Sequence, residues 1–308
     1  MREDHSFHMT NYPLVYQQVD VDSGGGIETA KSLLFPLHPD PKFKRLTEKL
    51  PRKGKFMRWV LLGLTAATNA SLWKLLLRGV GSGLSDGTMN IIYRIGIDQK
   101  TAGILDCLAI ANGSLQRRYL IVDQLRSLID KYQIKNIVSL AGGSCVLPLE
   151  AIYQSSMHDF TLTNIDYSKK ALQKSGHLVN SLLRGNNAKT INLVALRFDL
   201  PDVDLEGCCK EPGTVIECTG LWEYLGDSQR THLLETISQQ LRHSNCFLVL
   251  TALINNPDRE VFQALGFKKL LPQHREEFIG LIAQYFRIER ISITPNETYC
   301  TIIATQLL

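Results

Sequence analysis

From residue 134 onward the chain alternates short apolar runs with amphipathic ones, and this rhythm constrains its fold more than any other feature. "KNIVSL" (135–140), "DFTLTNID" (159–166), "TINLVAL" (190–196), "TVIECTG" (214–220) and "CFLVLTALI" (246–254) read as strands. Between them "PLEAIYQSS" (148–156), "SKKALQKSGHLVNSLL" (168–183) and "DSQRTHLLETISQQL" (227–241) read as helices. Alternation at this spacing predicts a mainly parallel, doubly wound α/β sheet with helices on both faces. The pattern then changes. "NNPDREVFQALGF" (255–267) and "EEFIGLIAQYF" (276–286) read as helices, the first with Asn256 as N-cap and Pro257 in its first turn. "RIERISI" (287–293), a "TPN" turn and "ETYCTIIAT" (297–305) follow and predict an antiparallel hairpin. No internal repeat is visible.

The part before residue 134 has a different texture. Residues 1–55 are polar and interrupted by "DSGGG" (22–26) and "PLHPDPK" (36–42), which predicts a flexible segment. Residues 56–133 read as a helical extension or lid, ending in "RRYLIVDQLRSLIDKYQ" (117–133). Net charge is +4, but Lys42–Arg58 holds eight basic residues and one acid, so the remainder is negative. This basic run leads into "WVLLGLTAATNASLW" (59–73), an uncharged stretch of 15 residues. It is shorter than the roughly 20 residues needed to span a bilayer. Segment 42–78 therefore has two readings: weak contact with an anionic membrane surface, or a solvated linker before a buried helix. The seven cysteines form no CxxC pair and no Cys/His array. That argues against a zinc site and a disulfide framework, and for reduced thiols in a cytoplasmic protein.

Behind the first strand stands "SLAGGSCVLP" (139–148). Adjacent glycines let a backbone come close to another backbone or to a ligand. The stretch is therefore either a tight strand-to-helix turn or a ligand loop at the carboxyl end of a parallel strand.

On these residues the chain resembles the class I S-adenosylmethionine-dependent methyltransferases over roughly residues 115–308. "IVSLAGGSC" is similar to that family's first motif, "LTNIDYS" to its second strand and acid, "LRFDLPD" to the end of its third strand, and "VIECTGLWEYL" to its fourth strand and substrate-facing loop. The terminal hairpin resembles the family's antiparallel seventh strand. The resemblance implies a Rossmann-like sheet over 134–308 and S-adenosyl-L-methionine as cofactor. It implies that Ala141, Gly142 and Gly143 pass beneath the methionine end. Asp166, beside Tyr167, would hold the ribose hydroxyls. Phe198 and Asp199 would meet the adenine. A basic residue of the helical lead-in, Arg118 with Arg117 beside it, would hold the cofactor carboxylate. The motif also departs from the family. Ser139 stands where an acid is usual, and Ala141 and Cys145 stand where glycines are usual.

Methyl transfer from a sulfonium asks mainly for alignment of the acceptor. The loop after the fourth strand offers Glu217 as a base or as a hydrogen-bonding residue within the loop, and Trp222 and Tyr224 as walls of an acceptor pocket. Both aromatics fit packing between sheet and lid equally well. "ECTGLWEY" is not the Asn/Asp-Pro-Pro-aromatic run of the family's nucleic-acid amine methyltransferases, and no metal triad stands out. The acceptor expected is a small molecule or lipid-like compound, with no nucleic acid and no metal. One open reading takes residues 1–115 as the working part, a membrane or partner anchor, with the α/β domain as support. Two further readings stay open. One is a methyltransferase-like binding or scaffold protein with a weakened site. The other is a nicotinamide-dependent oxidoreductase, which the incomplete GxGxxG and the terminal hairpin disfavour.

Overall fold

The computed structural model describes residues 89, 92–93, 105, 108–185, 189–197, 205, 212–241, 246–259 and 272–306. Segment 42–78, the whole of 1–55, Phe198 and Asp199, and the body of the 255–267 helix lie outside them.

Seven strands form one sheet: β1 (Asn136–Leu140), β2 (Asp159–Asp166), β3 (Thr190–Arg197), β4 (Thr214–Cys218), β5 (Phe247–Leu253), β6 (Phe286–Ile293) and β7 (Tyr299–Gln306). Their order is β3-β2-β1-β4-β5-β7-β6. The first five pair in parallel, and β7 lies antiparallel between β5 and β6. This is the mainly parallel sheet with an antiparallel C-terminal hairpin that the alternation predicts. β4 and β5 are buried along their whole length, as strands covered on both faces must be.

Alternate residues feed two cores. Phe247, Val249 and Leu253 of β5 join one cluster, with the helices α1 (Ala109–Tyr132), α2 (Val146–Gln154) and α3 (Lys169–Gly185). Leu248, Leu250 and Ala252 join the other, with α4 (Asp227–Gln240) and α5 (Arg275–Ile282). A period of two along the strand separates the two faces.

Two helix boundaries differ from the expectation. α1 begins at Ala109, eight residues before the amphipathic pattern becomes clear. Its first turns contain Asn112 and Gly113, poor helix formers, but tertiary contacts hold them. The Ile110 N–H donates to Asp258, and Asn296 donates to the Ala109 carbonyl. A Cβ on Gly113 would stand 2.6 Å from the Thr298 side chain, so only glycine lets the helix approach this closely. α5 stops at Ile282 instead of running to 286, because Phe286 is buried as the first residue of β6. The hairpin turns at Thr294–Glu297, with the Glu297 N–H donating to the Thr294 carbonyl and Pro295 at the position that favours its fixed φ.

β1 lies between β2 and β4, so the chain turns to opposite sides of the sheet after it. Open α/β sheets form a crevice at such a switch point, at the carboxyl ends of the strands.

Candidate functional site at the switch point

A cavity of about 390 Å³ opens at this place. It falls within the size range of small-molecule and cofactor sites. Its walls come from the loop after β1, the tip of β2, the loop after β4, and α1.

The loop after β1 has an exacting backbone. Ala141, Gly143 and Cys145 all hold left-handed φ, at 52°, 57° and 57°. Only one of the three is glycine, so the other two carry about 1 kcal/mol of strain each. Surrounding bonds hold them there. The Ala141 N–H extends the β1–β2 ladder to the Ile165 carbonyl, and the Cys145 N–H donates to the Gly142 carbonyl. Asn164 donates to the Gly143 carbonyl at 2.9 Å. The Gly143 N–H donates to Asp166 Oδ2 at 2.9 Å. Asp166 Oδ1 accepts from the Ser168 N–H at 2.7 Å, and the Ser168 hydroxyl caps the start of α3 by accepting from the Ala171 N–H. One carboxylate thus ties the loop after β1 to the turn after β2.

Gly142 is required for a separate reason. A Cβ there would lie 2.3 Å from Ser139 Oγ and 2.8 Å from Asn164 Oδ1. Gly142→Ala is therefore expected to destabilise the fold by about 1–3 kcal/mol, the usual range for overpacking. An unchanged melting temperature would show that the loop yields without cost.

The opposite wall is charged and aromatic. Arg117, fully buried on α1, pairs with Glu223 at 3.2 Å, donates to the Tyr93 hydroxyl at 3.0 Å, and stacks over the Tyr299 ring at 4.3 Å. Glu217, at the end of β4, is buried and also lines the cavity. Ser139 Oγ donates to its Oε2 at 2.5 Å, and the Thr219 hydroxyl donates to its Oε1. Burial pushes the Glu217 carboxyl above the usual carboxylate range, while the two hydroxyls and the Arg117 charge pull it back in part.

Of the residues expected at a site, Ala141, Gly142, Gly143, Asp166, Tyr167, Glu217 and Tyr224 all line this one cavity. Arg118 and Trp222 do not. Arg118 faces away, and its guanidinium is occupied by Glu150 at 2.8 Å and by the Tyr93 carbonyl. The neighbouring Arg117 takes the cavity-facing place. Trp222 is buried behind the loop, edge-on to Phe278 at 5.4 Å between ring centres, with its indole N–H donating to Gln273 at 2.7 Å. It is a core residue, which corrects the expectation that it walls an acceptor pocket. Glu223 of the loop after β4 also lines the cavity, and so do Met89, Tyr93 and Tyr299, which the sequence does not place there. They come from distant parts of the chain and carry no local motif. Among the described residues no group of His, Cys, Asp or Glu could hold a metal ion, and no helix is long and apolar enough to cross a membrane.

No protein-family model matches the sequence, and no curated protein matches it. Solved structures do. A possible exported protein from Bordetella parapertussis is 15% identical, with a TM-score of 0.60, and the likeness covers 92% of this chain and 98% of that one. A candidate methyltransferase from Thermobifida fusca is 12% identical, with a TM-score of 0.51 over 71% of this chain and 93% of that one. A DUF574 family protein from Streptomyces avermitilis is also 12% identical, at 0.51 over 70% and 96%. At these identities the likeness is one of fold.

Proposed function

From the class I methyltransferase fold that this chain adopts, we propose that it is an S-adenosylmethionine-dependent methyltransferase with a small-molecule or lipid-like acceptor. One observation carries the reading. A strained glycine loop at the carboxyl end of β1 is clamped by an acid at the tip of β2, and both border a cavity of cofactor size.

The residues present fit that cofactor. Its sulfonium supplies a methyl group already activated by positive charge, so the chain need only bind, orient and exclude water. The backbone of Ala141, Gly142 and Gly143 forms the floor beneath the methionine end. Asp166 accepts from two backbone N–H groups. A carboxylate has about four lone-pair sites, which leaves capacity for ribose hydroxyls. Tyr167 is an exposed ring at the cavity edge that can cover the nucleoside. Phe198 and Asp199 keep the adenine role that the resemblance gives them. Arg117 replaces Arg118 as the cation for the cofactor carboxylate, since it lines the cavity and Arg118 does not. Tyr224 and Met89 supply apolar wall for the acceptor.

Calorimetric titration with S-adenosylmethionine and, separately, with NAD tests the reading. The first should bind saturably and the second should give no heat. Binding of NAD without S-adenosylmethionine overturns the proposal in favour of an oxidoreductase. Binding of neither removes the small-molecule reading of the cavity.

A further inference from the structure

Among the described residues, four charged side chains line the cavity: Arg117, Asp166, Glu217 and Glu223. Their partners divide them unequally. Glu223 is paired with Arg117, and Asp166 accepts from two backbone N–H groups. Glu217 is buried yet has no ion pair among the described residues. It accepts from the neutral hydroxyls of Ser139 and Thr219 and from the Thr219 backbone N–H, and the Arg117 charge acts on it without an ion pair. A buried carboxylate without a cation in direct contact is costly to keep ionised, and a cation brought by a ligand would relieve that cost.

Register fixes where that cation must sit. Ser139 and Glu217 are direct partners across the parallel β1–β4 ladder. Partners in adjacent strands rise from the same face, about 4.8 Å apart. The Ser139 hydroxyl therefore orients the Glu217 carboxylate at the base of the 141–143 loop, two residues upstream of its start. With the Thr219 backbone N–H as third donor, the carboxylate has about one of its four lone-pair sites left for a further donor. What Glu217 lacks is a positive group that donates an N–H bond directly to it.

We propose that Glu217 binds the α-ammonium group of the cofactor's amino-acid end, with Ser139 as the residue that positions it. The inference rests on the S-adenosylmethionine reading above and assigns Glu217 to the cofactor, not to the acceptor as a base. The sulfonium of the same cofactor is a weaker match, because it has charge but no N–H donor. Arg117 lies on the adjoining wall for the α-carboxylate, so the two ends of one amino-acid zwitterion meet opposite charges.

The test uses two neutral-sulfur ligands and the full chain. S-adenosylhomocysteine carries the amino-acid end, and 5′-methylthioadenosine lacks it. Glu217→Gln should weaken S-adenosylhomocysteine at least tenfold and leave methylthioadenosine within about twofold. Melting of the free Glu217→Gln protein should be unchanged or higher, since a buried charge has been removed. A second variant, Ser139→Asp with Glu217→Ser, carries the acid on β1 instead of β4. It should recover most of the lost affinity. Equal affinity of wild type and Glu217→Gln for S-adenosylhomocysteine overturns the inference while leaving the methyltransferase reading intact. So does a variant that loses only turnover, which would mark a base, or only S-adenosylmethionine affinity, which would mark a sulfonium contact. Wild-type protein that binds neither ligand overturns the reading and the inference together.

Discussion

Replacing Asp166 by alanine is expected to lower fold stability and remove cofactor binding at once. The carboxylate accepts from the N–H groups of Gly143 and Ser168, so its loss leaves two backbone donors without their charged acceptor. Bonds of that kind contribute about 1.5–3 kcal/mol each, and the two share one side chain, so a loss of about 3 kcal/mol is expected. Thermal melting of the free protein measures it. On the proposed ribose role, the change should weaken S-adenosylmethionine by about a hundredfold or more in calorimetry, since every 1.4 kcal/mol is tenfold. Asp166→Asn separates the two effects. An amide keeps one acceptor oxygen for the loop and loses the charge, so it should retain more stability than affinity. Unchanged affinity in both variants would leave Asp166 as a loop clamp alone.

Trp222→Ala should produce the largest loss of stability of any single change to the residues discussed. The ring is fully buried against Phe278, and Arg230 lies 5.4 Å from its centre. Truncating a buried tryptophan costs about 3–5 kcal/mol. The change also leaves Gln273 Oε1 without the indole donor. Melting should fall accordingly, while cofactor affinity measured well below the midpoint should stay near that of wild type. Trp222→Phe keeps much of the volume and should recover most of the loss. A Trp222→Ala protein with normal melting and no turnover would return this side chain to the acceptor pocket.

The sheet was legible because its signals are local. Most strands are compact apolar runs, β6 alternates apolar with polar residues, and each helix carries its own period. Asp166 was legible for the same reason, as an acid at a strand tip a fixed distance past a glycine loop. The errors lie where tertiary structure decides. Nothing in "QRRY" tells which arginine faces the cavity, because both are buried and the choice depends on Glu150 and Glu223, far away in sequence. Trp222 and Tyr224 are two residues apart in one short 3-10 turn, yet one is in the core and the other lines the cavity. Ser139 read alone is a missing acid. The β1–β4 register places Glu217 beside it, and register across 78 residues is invisible to any local pattern. The sequence marks Gly142 as a residue permitting close approach. Its neighbours in that approach, Ser139 and Asn164, could be identified only from the fold.

The position of β7 has a consequence for synthesis. It is inserted between β5 and β6, although it is made after both. Tyr299 at its start supplies a wall of the cavity, the ring beneath Arg117, and the hydroxyl that meets Ser114, 185 residues earlier. While the chain is being made, the guanidinium of Arg117 and the first turns of α1 wait for a partner that emerges almost two hundred residues later. β5 and β6 meanwhile have no neighbour between them. The ligand cavity therefore cannot be completed on a partly made chain. Its Tyr299 wall is in place only once β7 lies between β5 and β6, so completing the sheet and completing the cavity depend on the same strand.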